Sequence, residues 1–212
     1  MPKLRLGVLV SGGGSNLQSI IDNCESGYLP ADVVIVISSK EGAYALERAK
    51  KHNIPSTVII PKNYKNREEY EDEMIKIINS YNVDLVILAG YIKVLSPKLV
   101  RAFQGRIMNI HPALIPSFCG EGYYGKKVHK AVLDYGAKIT GVTVHFVDEG
   151  ADTGPIILQR AVNVKEDDTP ETLAARVLEQ EHKIYPDAIK LFAEGRLEIN
   201  GRRVKITSKE DL

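Results

Sequence analysis

The stretch Leu4-Arg5-Leu6-Gly7-Val8-Leu9-Val10-Ser11-Gly12-Gly13-Gly14-Ser15-Asn16-Leu17 decides the architecture. An almost wholly apolar run enters a cluster of glycines, and Leu17, Ile20, Ile21 and Cys24 then recur at the spacing of one helix face. A buried strand that turns through glycines into an amphipathic helix opens a parallel sheet wrapped by helices. Glycine lets the backbone turn tightly there, and the unpaired N–H groups of the helix start attract an anion.

What the loop lacks narrows the anion. A dinucleotide loop wants a third small residue where Leu17 stands and an acid after the second strand, where this chain has Ser38-Ser39-Lys40. A triphosphate loop wants Gly-Lys-Ser/Thr, and none occurs here. A single phosphomonoester fits better, held by the N–H groups of Gly14, Ser15 and Asn16 and by the last two side chains. The competing reading is a plain turn with Ser15 as a helix cap.

Outward from this unit, strands and helices alternate. Val33–Ile37, Thr57–Ile60, Asp84–Ala89 and Arg106–Ile110 read as strands, and Ala43–Lys51, a stripe through Tyr70, Met74, Ile77, Ile78 and Tyr81, and Ser96–Phe103 read as helices. After Ile110 the pattern changes. Gly120, Gly122 and Gly125 make a loose segment before a helix at Lys127–Tyr135, and Lys138–Val147 and Ile156–Val164 form an antiparallel strand pair. Thr169-Pro170 starts a long helix with Thr as cap and Pro at the first helical position, and Pro186 is expected to kink it. Leu197–Val204 reads as a hairpin on an Asn200-Gly201 turn. The expected fold is α/β, a Rossmann-like, mostly parallel sheet with helices on both faces and antiparallel strands in the C-terminal half. One domain over 1–212 is expected, with a phosphate-binding half at 1–110, a catalytic half at 111–195, and a hairpin and tail at 196–212.

Composition excludes several classes. The 212 residues are 44% hydrophobic and 26% charged with a net charge of +1, which is ordinary for a folded domain and leaves no basic footprint for nucleic acid. No apolar run reaches membrane-spanning length and the N-terminal segment lacks the flanks of a secretory signal, so a cytoplasmic protein is expected. Cys24 and Cys119 have no metal-ligand spacing, so no metal site is expected; Cys24 reads as a small core residue and Cys119 as an inert loop thiol.

Chemistry concentrates at Asn109-Ile110-His111-Pro112. Side chains two apart on a strand share a face, so Asn109 and His111 look the same way, and Pro112 stops the ladder. An amide that holds an oxyanion beside an imidazole that handles a proton suits reaction at a carbonyl. A carboxylate near His111 would raise its pKa, and Asp148, Glu149 and Asp152 are the candidates in the loop before Pro155. Their order in the chain does not choose among them.

Six blocks carry a family resemblance: Ser11–Gln18, Leu88–Tyr91, Leu95–Pro97, Asn109–Pro116, Val144–Val147 and Asp152–Ile157. In order and over about the first 200 residues, they resemble the phosphoribosylglycinamide formyltransferases, folate-dependent enzymes. The resemblance implies transfer of a formyl group from 10-formyltetrahydrofolate to the amine of glycinamide ribonucleotide (GAR). It implies a catalytic trio of Asn109, His111 and Asp152, and GAR contacts at Gly14, Ser15, Asn16 and Leu178, Glu179, Gln180 and Glu181. It implies folate contacts at Arg67, Ile92, Lys93, Val94, Leu95 and Asn109, and at Asp148, Glu149, Gly150, Ala151 and Asp152.

Lys93 stands where the family pattern has Arg, which removes a planar bidentate group. The segment Ser117–His129 is longer than the usual loop, and His129 is left without a role. His145 reads as a structural strand histidine. The expected partners are two small molecules, with no nucleic acid and no membrane, and a homodimer stays open. The rivals are a 10-formyltetrahydrofolate hydrolase, disfavoured by the phosphate loop, an initiator-tRNA formyltransferase, which would want a basic C-terminal domain, and a nucleotide sensor using that loop alone.

Overall fold

The computed structural model describes residues 2–208; Met1 and the tail 209–212, assigned above to the end of the C-terminal segment, lie outside the described residues. The chain divides into two compact units, one up to Met108 and one from Asn109. This boundary puts Asn109 and His111 together in the second unit.

The first unit carries β1 (Leu4–Val10), α1 (Ser15–Glu25), β2 (Ala31–Ser38), α2 (Tyr44–Lys51), β3 (Ser56–Val58), α3 (Arg67–Ser80), β4 (Leu85–Leu88), α4 (Pro97–Ala102) and the start of β5 (Ile107–His111). β3, β2, β1 and β4 lie side by side and pair in parallel, with helices on both faces of the sheet. Burial on both faces explains why β1 and β4 read as continuous apolar runs rather than alternating ones. α1 buries Leu17, Ile20 and Ile21. Cys24, expected in the core, sits half-buried at the edge of that stripe, where burial pushes its thiol up to about 12 and leaves it unreactive. The third strand is three residues long and shifted toward Ser56, with Ile59 still donating to Ser38 O at 2.9 Å. Pro61, which has no N–H for the ladder, opens a short 3-10 turn at Pro61–Asn63 instead.

The second unit holds α5 (Lys126–Tyr135), β6 (Ile139–Phe146), β7 (Ile156–Asn163), α6 (Pro170–Ala193), β8 (Leu197–Asn200) and β9 (Arg203–Ile206). β6 and β7 are antiparallel, as are β8 and β9, while β9 meets β7 in parallel at Ile156 and Arg203. The register of β6 on β7 slips between Val144 and His145, so Val144 faces Leu158 and His145 faces Ile156. Such a slip bends the strand and re-aims its side chains. In the last hairpin Asn200 pairs with Arg203, so the two turn residues are Gly201 and Arg202 rather than Asn200 and Gly201. Gly201 has φ +60°, the glycine-first form of a two-residue turn.

α6 begins as its sequence dictates. Thr169 accepts from the Thr172 N–H at 3.3 Å, the Thr172 hydroxyl accepts from Thr169 N–H at 2.9 Å, and Pro170 is the first helical residue. Asp168 takes both Arg176 nitrogens at 2.7 Å, which holds its carboxyl well below the usual carboxylate range. Pro186, expected to kink α6, is buried and does not end the helix.

Gly14 caps α1 at φ +70°, a conformation unfavourable to L residues, and a Cβ there would lie 2.7 Å from Ala45 Cβ. Gly14→Ala is therefore expected to cost about 2 to 4 kcal/mol from left-handed strain and overpacking. Urea denaturation measures it, and unchanged stability would remove the steric argument.

Candidate active site

Chain order and register bring four side chains of the second unit together. β5 ends at His111 because Pro112 follows, and Asn109 and His111 protrude from one face of that strand. His111 is 3% exposed. Its Nδ1 lies 3.4 Å from Asp152 Oδ2, and its Nε2 donates to Phe118 O at 2.8 Å. Asn109 Nδ2 donates to Asp152 Oδ1 at 3.3 Å and to His145 Nε2 at 3.2 Å. His145 Nδ1 donates to the Phe146 carbonyl at 2.7 Å, which leaves its Nε2 lone pair to accept from the amide.

Among the three loop acids the geometry selects Asp152. Asp148 turns inward on its own loop, accepting from Gly150 N–H at 3.1 Å and from the Thr153 hydroxyl at 2.5 Å, and Glu149 lies on the exposed side. Asp152 adopts φ +57°, and the ends of its loop are tied by Phe146 N–H to Pro155 O at 2.9 Å. Gly154 is obligatory here, since a Cβ would fall 1.8 Å from Phe146 O. Burial alone would raise the Asp152 pKa, but the neighbouring His145 and His111 rings, which favour a carboxylate whenever they are protonated, and a Gly120 N–H at 3.0 Å outweigh it and hold the carboxyl below its ordinary value.

His111 departs from expectation. Burial pushes its pKa down, and the opposing pull of Asp152 and of the Phe118 carbonyl does not compensate. The carboxylate acts with the anticipated sign but loses to desolvation, so the ring is lowered, not raised. Its resting form is then the neutral tautomer with the proton on Nε2, and Nδ1 faces the carboxylate ready to take a second proton.

The long segment after Pro112 supplies two backbone groups that no side-chain pattern announced. The buried Thr143 hydroxyl donates to Ala113 O at 2.7 Å and accepts from Ile115 N–H at 3.1 Å, fixing the start of the segment. The Phe118 carbonyl then meets His111, and the Gly120 N–H meets Asp152. His129, on α5, is 4% exposed and its Nδ1 has no hydrogen-bond partner among the described residues; burial first and the neighbouring His111 second lower its pKa. His145, a strand histidine bonded to the Phe146 carbonyl, also joins this cluster through the Asn109 amide. The signal available was a histidine flanked by Val144 and Phe146 in a strand buried on both faces.

In the first unit, Ser11 is 3% exposed and its hydroxyl shares a 2.7 Å hydrogen bond with Ser39. Gly12 and Gly13 have open space where a side chain would stand, and α1 starts with no side-chain cap and no acid in its first turn. Ser15, the alternative cap, is instead the first helical residue. Arg48 Nε donates to Gly13 O at 2.8 Å and braces the loop. Arg67 opens α3 and reaches Val94 O at 2.7 Å; Ile92, Lys93 and Val94 are exposed, whereas Leu95 is buried. In the second unit, Leu178, Glu179, Gln180 and Glu181 make one turn of α6, where only Leu178 and Glu181 share a face and Glu179 is exposed. Among the described residues no group of three His, Cys, Asp or Glu has metal-holding geometry, and no helix is long and apolar enough to cross a membrane.

An amide and a carboxylate-flanked imidazole on a Rossmann-like α/β scaffold are the equipment of an enzyme that transfers a group at carbonyl oxidation level. Residues 4–189 match the formyl transferase family model, and the chain belongs to that family. It is 43% identical to the phosphoribosylglycinamide formyltransferase of Haemophilus influenzae over 97% of its own length and 94% of that protein. It is 45% identical, over 91% of its length, to the chloroplastic phosphoribosylglycinamide formyltransferase of Arabidopsis thaliana. The solved structure of glycinamide ribonucleotide transformylase 1 from Symbiobacterium toebii matches with a TM-score of 0.93 at 47% identity, covering 97% of this chain and 95% of that one. The chain spans 66% of the Arabidopsis relative and 20% or less of some longer relatives.

Because His111 and His129 are both lowered by burial, the unfolded chain binds more protons than the folded one below the ordinary histidine pKa of about 6.5. Their contribution to stability is intact above that pH and is lost as pH falls through the window from the unfolded toward the folded value. Urea denaturation at pH 7.5 and 5.5 is expected to show lower stability at 5.5, with a shallower loss in His111→Asn or His129→Asn. A wild-type protein equally stable at both values would contradict the assignment.

Proposed function

We propose that this chain transfers the formyl group of 10-formyltetrahydrofolate to the amine of glycinamide ribonucleotide, a step of de novo purine synthesis. The observation that carries the reading is the meeting of Asp152 with both His111 Nδ1 and the Asn109 amide. Near full-length similarity to phosphoribosylglycinamide formyltransferases supports the choice of substrates. Gly14, Ser15 and Asn16 are assigned to the substrate phosphate, and Leu178, Glu179, Gln180 and Glu181 to glycinamide ribonucleotide. Arg67, Ile92, Lys93, Val94, Leu95, Asn109 and the loop Asp148-Glu149-Gly150-Ala151-Asp152 take the folate. A cytoplasmic location and a pair of small-molecule partners belong to the same proposal.

The roles follow from the hydrogen bonds. As the amine nitrogen bonds to the formyl carbon, the carbonyl oxygen becomes an oxyanion. Asn109 stabilises it by releasing its 3.3 Å contact with Asp152, the longer of its two. His111 gives its Nε2–H to the same charge once the Phe118 carbonyl has moved off that nitrogen. Asp152 stabilises the imidazolium formed when Nδ1 takes up a proton. Collapse breaks the bond from carbon to the folate nitrogen, which receives a proton, while the amine loses one. Among the described residues no side chain is paired with a base as a nucleophile, and direct transfer is the step proposed.

Asn109→Ala and His111→Ala are each expected to lower kcat roughly 10²- to 10³-fold with little change in the KM for the ribonucleotide. The assay follows folate absorbance with and without glycinamide ribonucleotide. Turnover within tenfold of wild type in either variant would remove its assigned role, and formate release that ignores the ribonucleotide would establish hydrolysis instead.

A further inference from the structure

Glu71 is a carboxylate buried in α3, 3% exposed, that no step of the reaction uses. A charge in that position is costly unless its oxygens are fully engaged. Arg67 Nε donates to it at 3.0 Å, Ser96 N–H donates at 3.0 Å, and the Ser96 hydroxyl donates to its second oxygen. Arg67, turned this way, puts its other nitrogen on Val94 O at 2.7 Å. A cation at a helix N-terminus opposes the helix dipole, so the placement of Arg67 is set by Glu71 and Val94 and not by α3 itself. The strap that carries these groups, residues 91–96, is pinned twice more: the Tyr91 hydroxyl bonds the Tyr70 hydroxyl, and Ile92 N–H donates to Ser11 Oγ at 3.2 Å. Its backbone is fixed, yet Ile92 and Val94 remain 57% and 59% exposed. They flank Lys93, where the strap bends, and all three side chains are left uncovered.

We infer that Glu71 is a positioning residue that holds Arg67 and Ser96 so that the strap presents Ile92 and Val94, with the Arg67 guanidinium, as a preformed surface for the folate. A surface fixed beforehand spares the ligand the entropy of ordering it. The inference rests on the reading of this strap as part of the folate site. In Glu71→Gln the volume is kept, but an amide N–H₂ faces donors from Ser96 or Arg67, and the clamp opens.

The test measures steady-state kinetics and direct folate binding by calorimetry on the full chain. Glu71→Gln is expected to raise the KM and Kd for 10-formyltetrahydrofolate about tenfold, the loss of one charge-assisted bond, while kcat and the KM for the ribonucleotide stay within about twofold. Ser96→Ala, which keeps the backbone donor, should give a smaller change of the same kind and serves if Glu71→Gln does not fold. Glu71→Gln or, in its place, Ser96→Ala binding folate as wild type does would overturn the inference and leave the proposed reaction standing. Equal losses in both substrates and in kcat would reduce Glu71 to a structural role. A wild-type chain that binds no folate would instead sink the functional reading itself.

Discussion

The contact between His111 and Asp152 organises the second unit. An imidazole buried this deeply loses stabilisation of its charged form, and a carboxylate beside it restores part of that loss without reversing it. The outcome is a ring that rests neutral with a carboxylate already beside its Nδ1. Almost every irregular feature nearby serves that contact. The left-handed backbone of Asp152, the glycine at 154 pressed on Phe146 O, the slipped register at His145 and the tie from Phe146 to Pro155 all fix where one carboxylate points. Functional groups held by such local irregularities trade backbone comfort for aim.

The same economy governs the loops. In both units, polar side chains fix main-chain atoms, some of them buried (Thr143 and Glu71) and some exposed or half-buried (Arg67 and Arg48). Thr143 fixes Ala113 and Ile115, Arg48 braces Gly13, and Glu71 with Arg67 clamps Val94 and Ser96. A buried polar group is tolerated only when its hydrogen bonds are complete, so Thr143 and Glu71 mark where the backbone has to be exact.

Much of the fold was legible because it rests on periodicity. The parallel strands of the first unit, the antiparallel pair β6 and β7, and the Thr169-Pro170 start of α6 follow from apolar runs and capping chemistry that are local in the chain. The misreadings came where neighbours in space override local preference. Cys24 lies on the right stripe but at its edge, the third strand yields to Pro61, and the final turn is set by pairing of Asn200 with Arg203 rather than by the Asn-Gly dipeptide. Asn109 and His111 could be paired from sequence because a strand's alternation is a local rule.

The amino-acid order alone determined the α/β class, the glycine loop ahead of α1 and the Asn109–His111 couple, since each depends on residues within a few positions of one another. Tertiary structure decided that Asp152 reaches His111, that His145 and the Phe118 and Gly120 backbone join them, and that burial outweighs the carboxylate. Those are contacts between residues up to 43 positions apart, and a desolvation effect that exists only when the chain is closed around the ring. Spacing along a chain carries no information about either.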